Sequence, residues 1–467
     1  MGISIVQKSD FSKKKRNPKV ALVLAGGAVS GGAFKVGGLK ALNDFLVNRK
    51  VTDFDVYIGL SAGAFLAAPL AGGVSPEEML KSLDGSSSKF KQLRPVDFYY
   101  PNFREWVTRP LSVWLGLATF LPAVIYDFLK AIPALPGSVY GAARTYAKDP
   151  SYTNFEAVSK ELAKVISPRR QPPSLFRALP SGIFDNVALE RYLAANMASN
   201  GIPNDFSELY KLRKKELYIA AMNLDTAERV IFGHNEVSDV TISEAVQAST
   251  ALPGFYKPAR IRGVDYVDGG VRHTANIDIA IDHGADLIIC YNPFRPFHNR
   301  VDVEAREVNK KIEYVTTKGD YLASRGMRSV LNQVFRTLLH SRLQIGLRKY
   351  VDDMKFKGDI ILIEPQEQDI RFFEINPLAF WDRAQSAERG FHSVKTSIEK
   401  KYPQVRGILS SYGIETTRIY VEEDIRQMRK AGRRSDHSAK VLRVLERETP
   451  KVPIKLLGGS RKSTQAD

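Results

Sequence analysis

Two short, wholly apolar runs, each ending in a glycine-bearing turn and each followed by a helix-forming stretch, constrain this 467-residue chain more than any other feature. The first, Val20-Ala-Leu-Val-Leu-Ala25, leads into Gly26-Gly-Ala-Val-Ser-Gly-Gly32. From Ala33 to Val47 the residues Phe34, Leu39, Leu42, Phe45 and Leu46 then recur at helical spacing, which predicts a helix from the end of the glycine loop. The second, Val56-Tyr-Ile58, enters Gly59-Leu-Ser-Ala-Gly63 and an Ala-rich helical run to Ala71. Successive strand–helix units form parallel sheets with right-handed crossovers. Both turns then lie at the carboxyl ends of their strands, on one edge of the sheet, as neighbours.

The chemistry of those turns can be narrowed. A P-loop needs Lys followed by Ser or Thr after its last glycine, but Ala33 follows Gly32; the dinucleotide fingerprint fails because Ala28 stands where its second glycine belongs. What remains is a set of backbone amides at a helix N-terminus suited to a transient oxyanion, or a loop that needs glycine only to turn tightly. Ser61 sits at the sharp strand-to-helix turn of a Gly-x-Ser-x-Gly pattern, where a side chain at Gly59 or Gly63 would crowd the strand–helix contact. That position suits a nucleophile, which needs a base.

Farther along, residues 86 to about 180 are rich in proline and aromatics and contain Pro110–Tyr126, a run of 17 residues without charge. At 1.5 Å per residue it spans roughly 26 Å as a helix, short of a bilayer core of about 30 Å, and Gly116 and Pro122 interrupt it. It reads as a membrane span, a buried insertion helix, or an interfacial lid with Trp106, Trp114, Phe120 and Tyr126 at headgroup level. Leu217–Met222 and Arg229–Phe232 read as paired strands, Ile242–Ala251 as a helix stopped by Leu252-Pro-Gly254, and Asp286–Tyr291 and Asp359–Glu364 as further sheet strands. Tyr266-Val-Asp-Gly-Gly-Val271 offers Asp268 either as a hairpin turn-former or as a site carboxylate. The segment beyond Pro296 is mostly helical and charged; its Phe335–Arg348 stretch is amphipathic and basic, fitting a helix on the sheet or contact with a membrane surface.

The order of glycine loop, Gly59-Leu-Ser-Ala-Gly63 and Asp268-Gly-Gly270 resembles the patatin-like phospholipases over residues 19 to 295. Gly32-Ala-Phe-Lys-Val-Gly37, Ala245-Val-Gln-Ala-Ser-Thr-Ala-Leu-Pro-Gly-Phe255 and Gly284-Ala-Asp-Leu-Ile-Ile289 are similar to further family segments. The resemblance implies a three-layer α/β/α fold with a mostly parallel sheet. It also implies acyl-ester hydrolysis by a Ser61–Asp268 dyad without a catalytic histidine, although His234, His273 and His283 are candidates for an ordinary triad by rough proximity. Amides near Gly26, Gly27, Ala28, Gly31 and Gly32 would form the oxyanion loop, with Gly59, Gly63, Gly269 and Gly270 shaping the turns. Two departures stand out. The family loop usually runs Gly-Gly-Gly-x-Arg/Lys-Gly, whereas this one is one residue longer and lacks the basic residue, Lys35 lying on the following helix. Asn276-Ile-Asp278 lacks the proline often found after the aspartate.

A net charge of +17, concentrated in Lys13–Arg16 and from Arg426 onward, favours an anionic partner. A lipid substrate and an anionic membrane surface, met peripherally, fit it; nucleic acid is not expected, since no helix-turn-helix, zinc-finger or RNP-like string accompanies the charge. No His/Cys cluster has metal spacing, so no metal or cofactor is expected. The single cysteine, Cys290, lies in an apolar run and reads as core packing. No signal-peptide pattern is evident, and Val6 stands where N-myristoylation needs Ser or Thr, so residence in the cytoplasm is expected. The expected organisation is a basic flexible leader (1–18), a hydrolase domain (19–295) with an insertion at about 86–180, a mainly helical extension (296–425) and a basic tail (426–467). The competing reading is a membrane-associating relative that has lost catalysis through its altered loop.

Overall fold

The computed structural model describes residues 2–131, 137–166, 174–308, 311–352, 355–376, 378–430 and 437–448. Nine strands form its central sheet: β1 (Ile3–Val6), β2 (Val20–Leu24), β3 (Val56–Leu60), β4 (Glu216–Asn223), β5 (Arg229–Gly233), β6 (Ala259–Ile261), β7 (Val264–Asp268), β8 (Leu287–Tyr291) and β9 (Asp359–Ile363). Their order is β1-β9-β8-β2-β3-β4-β7-β6, with β5 also on β4. Strands β9, β8, β2, β3 and β4 are mutually parallel, and the remaining pairings are antiparallel.

The central strands are buried along their whole length, which is why they read as continuous apolar runs rather than alternating ones. Alternate residues still divide between two cores. Leu22, Leu24, Tyr57, Ile219, Ile289 and Ile361 face one, beneath helices α1 (Ala28–Phe45), α2 (Ala62–Ala71) and α3 (Ile242–Thr250). Ala21, Val23, Ile58, Ala220, Cys290 and Leu362 face the other, beneath α4 (Ile277–Asp282) and α5 (Met327–Asp352). Cys290 is buried there with its neighbours. The first layer is completed by α6 (Arg383–Lys400), which lies so close to α1 that a Cβ at Gly37 would overlap the Ala387 carbonyl, and one at Gly390 the Phe34 carbonyl.

Registers along β4 decide where the functional turns meet. Strand β3 pairs with residues 216–220 of β4, β5 with 218–222, and β7 with 221–223. Overlap forces β5 onto the opposite edge from both others, so β3 and β7 share one edge end to end. Leu60 stands opposite Ala220 and Asp268 opposite Ala221. Two strands running in opposite directions therefore finish head to head, and the residues leaving them, Ser61 and Asp268, converge.

Several expectations need correction. The leader is not a free arm: Ile3–Val6 is an edge strand on β9, and the amides of Lys8 and Ser9 bond the Asp359 carboxylate at 2.6 and 2.9 Å. Its partner lies some 350 residues away, beyond the reach of any local signal. Helix α1 begins at Ala28, not Ala33, so Gly31 and Gly32 are helical. Residues 302–308 and 311–318, expected within a helical segment, pair as an antiparallel hairpin. The basic tail begins as structure: helices α7 (Ile419–Lys430) and α8 (His437–Leu445) bury Val421, Ile425 and Met428, and Val441, Val444 and Leu445, apolar residues recurring at three- and four-residue spacing among the charges. Residues 431–436 and 449–467 of the expected tail lie outside the described residues.

The insertion is a separate compact unit with tighter bounds than expected, Pro101–Phe184. Residues 86–100 belong to the main unit, where Leu93 and Phe98 join the core. Within the insertion, Phe103–Ala131 is one helix that carries Pro110, Gly116 and Pro122 inside it. Asn102 and Trp106 donate to the carbonyls of Gly182 and Ile183 at 3.1 and 3.2 Å, closing the unit on itself. Trp106, Trp114, Ile125 and Tyr126 are more than half exposed, so the buried-helix reading does not hold for them. Among the described residues, no helix is long and apolar enough to cross a membrane.

Candidate active site

Ser61 occupies a backbone conformation, φ 54° and ψ −129°, that L-residues avoid. Such strain persists only where the surroundings over-determine it. Here the surroundings can be named. A Cβ at Gly59 would overlap the Ala64 backbone, and one at Gly63 would overlap the Leu24 carbonyl, so the strand and helix pack as closely as glycine permits. The Ser61 amide donates to Ser249 Oγ at 2.8 Å, and Ser249 in turn donates to the Ala220 carbonyl at 2.7 Å. Ser249, fully buried on α3, thus ties the serine turn to β4. Sequence reasoning gave Ser249 no role; its place in the Ala245–Phe255 segment was the one signal available.

Asp268, almost fully buried at the end of β7, receives the Ser61 hydroxyl and the Gly270 amide, the latter on Oδ1 at 2.8 Å. Burial pushes its carboxyl up from 3.8 to about 6, although the bonds from Ser61 and Gly270 and the charge of Lys35 hold it back. Residues Gly269–Val271 form a single 3-10 turn rather than a two-residue hairpin. Asp268 caps that turn, so it has a turn-forming role as well as its contact with Ser61. A Cβ at Gly269 would stand 2.8 Å from the Ala220 carbonyl, and one at Gly270 3.1 Å from Asp268 Oδ1.

The glycine turn is built differently from the expected loop. Gly26 and Gly27 alone precede α1, and a Cβ at Gly26 would approach that of Ser61 to 3.3 Å. Ala28 stands where the family pattern has its third glycine and keeps a left-handed φ of 54°. Lys35 is completely buried beneath the turn and donates to the carbonyls of Ala25 and Gly26. In a trans peptide the N–H points opposite to the C=O, so the amides of Gly26 and Gly27 face away from that ammonium. Burial lowers the Lys35 pKa to about 7, against the pull of Asp268.

Beside Ser61 opens an apolar cavity of about 70 Å³, walled by Ala28, Val36, Phe65, Leu66, Phe98 and Phe380. Among the described residues, Arg383 is its one charged lining residue; it donates to the Leu83 carbonyl at 2.8 Å. A second apolar space, of about 50 Å³, shares the walls Val36, Phe65, Leu66, Leu83 and Leu93 and continues toward Tyr192 and Asn196. The histidines do not converge here. His283 stacks on Tyr218, whose backbone lies opposite Ile58 within β3 rather than at its Ser61 end, and His234 stacks on Tyr210 and sits tilted against the same Tyr218. His273 follows the Asp268 turn and faces Arg229, Arg272, Asp278 and Arg342.

The family described as patatin-like phospholipase matches residues 22–281, more than half of the chain, from within β2 to within α4. The chain belongs to the patatin-like phospholipase family. A curated relative, the probable lipid hydrolase 463L of Invertebrate iridescent virus 6, is 27% identical over 104 residues, covering 22% of this chain and 36% of that protein. The match thus spans about a third of the relative's length. Among solved structures, VipD of Legionella pneumophila aligns over 95% of this chain and 82% of its own at 14% identity, with a TM-score of 0.34. Human GIVD cytosolic phospholipase A2 aligns over 85% and 59% at 10% identity, TM-score 0.34. ExoU of Pseudomonas aeruginosa, in its complex with SpcU, aligns over 94% and 70% at 15% identity, TM-score 0.25.

Proposed function

We propose that this family member is a serine lipid acyl hydrolase of the phospholipase or lipase type, with Ser61 as nucleophile and Asp268 as its base, acting on acyl esters at a membrane surface. The observation that carries the reading is a buried carboxylate, raised to about 6, that accepts the Ser61 hydroxyl at the head of an apolar cavity. An ordinary aspartate is too weak a base to activate a serine. At about 6, Asp268 remains ionised at neutral pH yet accepts a proton more readily. Ser61 Oγ attacks the ester carbonyl as its proton passes to Asp268. The oxyanion is stabilised by amides of the Gly26–Ala28 turn at the start of α1, where the helix dipole adds to their effect. Collapse expels the alcohol, which takes the proton from Asp268 and leaves the acyl group on Ser61. Water then gives its proton to Asp268 and its oxygen to the acyl carbon, and Asp268 returns the proton to Ser61. The apolar cavity holds the acyl chain, and the name of the viral relative agrees with a lipid substrate.

The longer loop without its basic residue motivates the alternative, a relative that binds membranes without catalysis. Two features weigh against it. Ala28 retains the backbone conformation of a glycine, and Lys35 holds the turn's carbonyls from beneath. A fluorophosphonate probe is expected to label Ser61 in the wild type and nothing in Ser61→Ala, which also loses ester hydrolysis. Folded wild-type protein that never reacts with the probe or turns over an ester would sink the proposal and favour the alternative.

A further inference from the structure

Helix α5 carries an apolar stripe that the fold leaves in solvent. Its inner face packs Leu343 and Leu347 into the second core, while Met327, Leu331, Val334, Phe335, Leu338 and Ile345 are each about half exposed or more. Positions 327, 331, 334, 338 and 345 are separated by three, four and seven residues, the spacing that aligns side chains along one face of a helix. Exposed Arg328 and Arg348 flank the stripe on either side, exposed Arg342 and Lys349 fall along it at the same helical spacing, and Asp352 is the only acidic residue of the helix. An apolar stripe accompanied by cations, on a helix too charged to span, suits a helix lying in the headgroup plane of an anionic bilayer.

The helix also touches both flanks of the candidate site. Arg342 donates to the carbonyl of Val271 at 2.7 Å, three residues beyond Asp268, and Thr274 donates to the Leu339 carbonyl at 2.8 Å. On the other flank, buried Arg336 donates to the carbonyls of Pro293 and Arg295 at 3.1 and 3.2 Å. Between those residues, the Phe294 ring lies against Gly26. A bilayer seated on the stripe would therefore meet the protein at the edge where Ser61 opens.

From this juxtaposition we infer that α5 is the membrane-docking element of the protein, seating its apolar stripe on an anionic phospholipid bilayer. The inference deepens the proposed lipid hydrolysis and rests on it for its purpose, though docking is measured without turnover. Full-length Ser61→Ala protein is floated with vesicles of phosphatidylcholine alone and with added phosphatidylglycerol, over a range of salt. Partition is expected to need the anionic lipid, to weaken with salt, and to fall at least about tenfold on combining Leu331→Ser, Phe335→Ser and Leu338→Ser. Reversing Arg348 and Lys349 to Glu should weaken partition to phosphatidylglycerol vesicles by a similar factor. With Ser61 restored, the triple variant should hydrolyse a soluble monomeric ester at the wild-type rate, which also shows that it is folded. A triple variant that floats like its parent overturns the inference and transfers docking elsewhere, the exposed aromatics of residues 101–184 included. So does a wild-type dimer that the same substitutions convert to a monomer without loss of flotation, since the stripe then seats a second copy of the chain. Absence of ester turnover in wild type would count against the hydrolase reading while leaving the flotation result intact.

Discussion

Replacing Asp268 by Asn should make the protein more stable while abolishing its proposed activity, and the size of the gain follows from one group. Folding lifts the Asp268 carboxyl from 3.8 to about 6, a value that already includes the relief supplied by Ser61, Gly270 and Lys35. Because the folded pKa lies above the unfolded one, the native state binds this proton more tightly. The wild type therefore loses stability as pH rises from about 4 to about 6 and carries a constant penalty above that window. At about 1.4 kcal/mol per pH unit the penalty reaches about 3 kcal/mol by pH 8. Asn has nearly the same shape and no charge, so the stability difference between variant and wild type should grow from near zero at about pH 4 to about 3 kcal/mol at pH 8. Urea midpoints at matched pH values read it directly. Over the same range, wild-type kcat/KM on a soluble ester should rise with a midpoint near pH 6, and the Asn variant should lose a factor of about 10² or more at every pH. A difference in stability that does not change with pH, or an Asn variant less stable than wild type at pH 8, would refute the account of Asp268 as a carboxylate ionised against its surroundings.

Other substitutions probe the rest of the site. Ser249→Ala leaves the Ser61 amide and the Ala220 carbonyl without their shared partner, so urea midpoints should show a loss of about 2–4 kcal/mol, accompanied by a lower kcat; a neutral result would remove Ser249 from the support of the serine turn. Ala28→Gly should relieve a left-handed conformation at a small entropic cost, for a net gain of up to about 1 kcal/mol with ester turnover retained; clear destabilisation would mean that the Ala28 methyl is needed where it stands. Leu83→Trp, in the wall between the two apolar spaces, should cut turnover of long-chain esters about tenfold or more relative to short-chain ones. An equal effect on both chain lengths would show that the second space receives no acyl chain.

How much of this was legible in the chain depends on the distance over which each feature is encoded. Local features were readable. Continuous apolar runs gave the parallel strands because a strand buried on both faces cannot alternate, and Gly59 and Gly63 marked a turn whose packing excludes a Cβ. The serine turn and the aspartate turn were each visible, and family resemblance paired them. The start of α1 lies earlier than its glycines suggest, since Gly31 and Gly32 are helical within its first turns despite their poor helix propensity. The charged ends also misled, since a few apolar residues spaced three and four apart among many basic ones suffice to seat a helix once a core lies beneath it.

What the sequence determined by itself, then, were the elements and the chemistry available at their turns: a strained serine, a carboxylate before two glycines, and amides at a helix start. Tertiary structure decided their relations. The register of β3 and β7 along a single edge of β4 brings Ser61 to an aspartate more than 200 residues away. Burial at that junction, a property of the assembled sheet, gives Asp268 a basicity that its residue type does not carry. The same assembly puts Lys35, which the sequence set on the next helix and out of play, directly beneath the glycine turn. Spacing along a chain reports which groups are present; only packing fixes their distances and the water around them, and both the pKa and the geometry follow from those.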